Sequence, residues 1–119
     1  MSYNLSIAPR RGDIWMANTG GKRHAVVIIS LDSRNLSDRA NSVLVVPFGS
    51  FGRPGPTVIP MRPGETGLPE ASYLKAHFIE VIPKVDLVER LPRRLSNMQM
   101  KNLVAAVNRA VDPDALFQP

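Results

Sequence analysis

Apolar and polar positions along the chain alternate in short runs, and a helical period emerges only at the C-terminal end. "GDIWMA" (12–17) reads as a strand and stops at "NTGG", whose asparagine and paired glycines suit a tight turn. "KRHAVVIIS" (22–30) is then the second arm of a hairpin. Its unbroken apolar core predicts a strand buried on both sides. "LDSRNLSDRAN" (31–41) is polar and turn-rich, with room for one helical turn. "SVLVVPF" (42–48) is a third strand, closed by Pro47, and "GSFGRPGP" (49–56) is a loop by its glycines and prolines. "TVIPM" (57–61) makes a fourth strand, "RPGETGLPEA" (62–71) another loop, and "SYLKAHFIEVI" (72–82) a fifth strand. "ERLPRRL" (89–95) suits an edge strand, the place where Pro92 is tolerated.

The last segment changes period. Ser96 with Gln99 three residues on forms a capping box, and Leu95 with Met100 a hydrophobic staple. Met100, Leu103, Val104, Val107 and Val111 then fall on one face of a helix over 96–112, stopped by Pro113. Short, closely spaced strands followed by one amphipathic helix predict a small β-barrel with a helix packed on it. Residues 1–9 read as a flexible lead-in, and 1–119 as a single domain.

Composition narrows the class. The chain has no cysteine, so disulfides and thiolate metal sites are excluded, and two histidines without a carboxylate cluster make no zinc site. Neither metal nor cofactor is expected. The longest apolar run, "AVVII" (25–29), is too short to span a bilayer, and the N-terminus has no signal-peptide order. A cytoplasmic protein without membrane contact is the expectation. The net charge of +5 suits a polyanionic partner, with basic residues dispersed rather than gathered in a tail.

In order along the chain, "RRGDIWMA", "KRHAVVIIS", "VLVVPFGS", "GLPEASYLKAH" and "RLPRRLSNMQMKNL" resemble the MazF/PemK-type toxins, over Arg10 to Val111. The resemblance implies an SH3-like barrel of the kind shared with CcdB, a homodimer, and sequence-selective, metal-independent cleavage of single-stranded RNA. It also implies an acidic antitoxin that blocks the site. Arg23 takes the place of the catalytic arginine at the foot of the second strand. Gly49-Ser50 stands where Thr-Ser is usual, so the threonine is replaced and Ser50 kept. Lys75, His77, Phe78 and Glu80 stand where a basic residue, an acid, glutamine and arginine are common.

Such a reaction needs a base for the 2′-hydroxyl, an acid for the leaving 5′-oxygen, and donors for the charge on phosphorus. Imidazole suits proton transfer near neutrality, and guanidinium grips phosphate oxygens as a fork. On this reading His77 is the base or proton shuttle, and Arg23 the phosphate clamp and possible acid. Lys75 lies on the same strand face as His77 and adds positive charge, while Ser50 donates a hydrogen bond. The expected product is a 2′,3′-cyclic phosphate. Lys22, Phe51, Arg53 and His24 are the expected RNA contacts, although strand alternation turns His24 away from Arg23. Trp15 and Met16 alternate, so one of them faces outward. Competing readings are a non-catalytic nucleic-acid- or peptide-binding member of the fold and a gyrase poison. The second lacks the C-terminal Trp-Gly-Ile of that branch, since Trp15 is the only tryptophan.

Overall fold

The computed structural model describes residues 7–68 and 70–111. Residues 1–6 of the lead-in, together with Asp112 and Pro113, lie outside them. Seven strands form one antiparallel sheet: β1 (Asp13–Thr19), β2 (Lys22–Ile28), β3 (Ser42–Gly49), β4 (Val58–Met61), β5 (Ser72–Lys75), β6 (Glu80–Pro83) and β7 (Leu87–Arg94). The spatial order is β4-β5-β3-β2-β1-β7, with β6 also paired to β3. The end strands β4 and β7 do not pair with each other, so the expected barrel is an open one. Among the described residues there are two α-helices, α1 (Asp32–Asn35) and α2 (Asn97–Ala110), and no helix long and apolar enough to cross a membrane.

The β1–β2 hairpin closes on Gly20 and Gly21 between the pair Thr19 and Lys22. Both glycines have positive φ (57° and 78°), as a two-residue hairpin turn matching strand twist requires. β2 is buried on both faces, as its apolar run predicts. Ala25 and Val27 join Ile14, Val46, Phe48 and Leu74 under α2, whereas Val26 and Ile28 join Trp15, Val43, Val45 and Ile82 on the far side. Each such side chain contributes about 1.5–3 kcal/mol of hydrophobic stabilisation. Of the alternating pair, Trp15 is core and Met16 is the half-buried one.

Three expectations need correction. The fifth strand is not continuous over 72–82. β5 ends at Lys75, where the amide of Phe78 donates back to the Lys75 carbonyl at 2.9 Å, and β6 begins at Glu80. The break is set by β3, which pairs β6 along Ser42–Val45 and β5 along Phe48–Gly49. Nor does Pro47 close β3; it sits within the strand opposite Val26. The strand expected at 89–95 is longer, running from Leu87 to Arg94. The strands with an unpaired edge, β4, β6 and β7, each contain a proline: Pro60, Pro83 and Pro92.

Helix α2 starts as its sequence dictates. The Ser96 Oγ accepts from the Gln99 amide at 3.1 Å, and the Gln99 Oε1 accepts from the Ser96 amide at 2.8 Å. Leu95 and Met100 meet in the same apolar cluster, as a staple should. Leu103 and Ala106 are its buried residues, with Met100 and Val107 packed beside them; Val111 at the end is exposed. The inward stripe is therefore shifted toward Ala106. Lys84 is buried behind α1, its Nζ donating to the Ser37 and Arg34 carbonyls at 2.9 and 3.4 Å.

Candidate active site

β3 pairs β2 from Val26 onward, leaving the outer end of β2 (Lys22, Arg23 and His24) exposed beyond that ladder. β3 itself turns its end toward β5. A cleft of about 240 Å³ opens where the two diverge. Arg23 and His24 enter it from the hairpin, Ser50 from the end of β3, and Glu70 and Ser72 from the segment that leads into β5. Phe48 and Gly49 line it and also line a neighbouring depression of about 190 Å³. Lys75, Phe78 and Glu80 border that second space, and His24 borders both.

Arg23 is held at 3.1 Å by Glu89 of β7 through one terminal nitrogen. Both partners are more than half exposed (51% and 61%), so the pair is weak and readily exchanged for a phosphate. Lys75 lies across Gly49: a Cβ at Gly49 would stand 2.9 Å from the lysine Cε and 3.2 Å from its Nζ. The ammonium sits 5.9 Å from the centre of the Phe78 ring. The absent side chain at 49 thus leaves room for a positive charge beside the cleft.

His77 has a different setting. It follows the end of β5, in the turn, so it shares no strand face with Lys75. Its Nδ1 is 2.9 Å from the Thr57 hydroxyl, and its ring packs on Phe78 with centroids 4.3 Å apart. It borders neither depression. The imidazole that enters the cleft is that of His24. Alternation in the β1–β2 ladder turns His24 away from Arg23, yet beyond the ladder to β3 both line the same space. Lys22 is exposed at the start of β2, and Phe51 and Arg53 are exposed on the loop after β3, outside both depressions.

Sequence reading alone did not single out Glu70, Ser72 or Met16. Ser72 is only 7% exposed, and its Oγ has no hydrogen-bond partner. Nothing local marks them, because Glu70 lies in a bend and Ser72 only begins β5, so no strand period ties the two together.

The chain matches the model of PemK-like, MazF-like toxins of type II toxin–antitoxin systems over residues 10–111. Among solved structures it is similar to an endoribonuclease in complex with its cognate antitoxin from a mycobacterial species. The TM-score is 0.74 at 26% identity, covering 87% of this chain and 94% of the other. The Mycobacterium tuberculosis toxin MazF-mt6 superimposes with a TM-score of 0.74 at 24% identity, over 84% and 96% of the two chains. MazF in a MazE–MazF complex from Deinococcus radiodurans gives 0.73 at 14% identity, over 90% and 98%. With a family match spanning both hairpin and helix, and the fold shared throughout, the chain belongs to the PemK-like, MazF-like toxins of type II toxin–antitoxin systems.

Proposed function

We propose that this toxin is a sequence-selective, metal-independent endoribonuclease of single-stranded RNA, acting in the cytoplasm as a homodimer and neutralised by an acidic antitoxin. The observation that carries the reading is the meeting of Arg23, His24 and Ser50 at one cleft, with Lys75 across Gly49. The mycobacterial endoribonuclease–antitoxin complex supports both the activity and the partner.

In this mechanism Arg23 releases Glu89 and grips the non-bridging oxygens, while Lys75 adds charge from the neighbouring depression. The imidazole of His24 takes the 2′-hydroxyl proton. The 2′-oxygen bonds to phosphorus, the bond to the 5′-oxygen breaks, and the imidazolium returns its proton to that oxygen. Ser50 donates to a phosphate oxygen. The products are a 2′,3′-cyclic phosphate and a 5′-hydroxyl. His77, tied to Thr57, supports the rim through Phe78.

Mixed-sequence RNA incubated with the protein and a chelator tests this, with the product ends identified. Cleavage to cyclic-phosphate ends is expected, slowed roughly 100- to 1000-fold in Arg23→Ala. His24→Ala should lose about 100-fold or more, and His77→Ala only a few-fold. The opposite order of the two histidine variants would return the base to His77. RNA bound but left intact would instead favour a non-catalytic member of the fold, the reading to which the replaced threonine at Gly49 lends support.

A further inference from the structure

We infer that the part of the cleft beside Glu70 and Ser72 is a base-reading subsite selective for guanine, with those two as its specificity-determining residues. The inference rests on the proposed action on single-stranded RNA and adds what that RNA must carry.

Three features of the depression point there. Its walls are partly apolar, with Met16, Leu68, Ala71 and Phe48 available to a flat ring. Ser72 is 7% exposed, its buried hydroxyl has no partner among the described residues, and a buried polar group without a partner in a native fold calls for one. Among the described residues Glu70 is the one carboxylate lining the space. A carboxylate repels phosphate, so the sugar–phosphate belongs with Arg23 and Lys75, and the space beside Glu70 belongs to a base.

The donor pattern selects which base. An ionised carboxylate only accepts, and it does so best from two parallel N–H groups. On its Watson–Crick edge guanine offers N1–H and N2–H side by side, with the O6 acceptor next in the row. Cytosine and adenine set an acceptor beside their amino group, and uracil flanks its single N–H with carbonyls. Each would aim a lone pair at Glu70. Glu70 at the bend and Ser72 at the start of β5 line the same cleft, so a base whose N–H pair meets the carboxylate has the Ser72 hydroxyl within the same space as a donor for O6. In single-stranded RNA these edges are free to be read.

The test has two arms. In the first, cleavage sites in a mixed-sequence RNA are mapped for wild type, Glu70→Gln and Ser72→Ala. Wild type should require guanine at one fixed position near the scissile bond, with inosine there, which lacks the N2 amino group, slowing cleavage roughly 10- to 100-fold. Glu70→Gln should move the preference toward adenine, since an amide both donates and accepts as adenine does. Ser72→Ala should narrow the guanine advantage. In the second arm, uncleavable 2′-deoxy oligonucleotides differing at that position are titrated against each protein. A guanine preference in binding that Glu70→Gln reverses sustains the inference even if no RNA is cut, an outcome that would remove only the catalytic reading. Cleavage or binding indifferent to guanine, or unchanged in Glu70→Gln, overturns it.

Discussion

Gly49 and Lys75 are best understood together. The ammonium lies where a side chain at 49 would stand, so loss of the threonine expected there from the resemblance coincides with a gain of charge beside the cleft that Arg23 lines. Residue identities alone show the substitution but not this exchange, because the two positions meet only through the β3–β5 pairing. His24 reads from the sequence as an RNA contact turned away from Arg23, and its entry into the same cleft is hidden because that cleft forms only where the β2–β3 ladder has ended. Arg23 and Ser50 are expected from the resemblance to the toxins, and both line the cleft. A second residue-scale effect concerns acid. The amide of Arg11 donates to the Asp32 carboxylate at 2.7 Å, which holds the Asp32 pKa below its ordinary value near 3.8, helped by Asn35 and by the Arg10 and Arg94 charges against the opposing effect of burial. A lowered folded pKa stabilises fully above the ordinary value and is lost as pH falls through the folded one. Asp32→Asn should therefore cost about 1 kcal/mol near neutrality, the difference between a charged and a neutral acceptor. Urea titrations should show that gap to wild type closing below about pH 4.

At the scale of elements, what is local was readable. The glycine-closed hairpin and the capped helix depend on residues within a few positions of one another, and both form as their sequences dictate. The split between β5 and β6 depends on how β3 shares its edge between two segments, and no periodicity in 72–82 announces it. The helix cap can be weighed directly. Ser96→Ala removes the acceptor for the Gln99 amide and should destabilise the protein by about 1 kcal/mol. Equilibrium urea unfolding measures it, and an unchanged midpoint would mean that water replaces the cap without loss.

For the molecule as a whole, β2 separates two apolar clusters, and the cleft opens at the one place where its ladder to β3 has ended. That is why the mostly β architecture could be read from hydrophobic patterning, while the site, which arises from strand divergence, could only be sampled by it. The prolines on β4, β6 and β7 bear on how such a protein behaves when freed from a partner. Proline breaks the row of backbone donors along an open edge, so another chain cannot zip onto it. Pro60→Val combined with Pro92→Val should raise light scattering of the concentrated protein over hours, whereas the unaltered protein stays clear. A toxin with blunted edges is released from its antidote as dispersed, diffusible molecules, and its potency then scales with the number of copies set free.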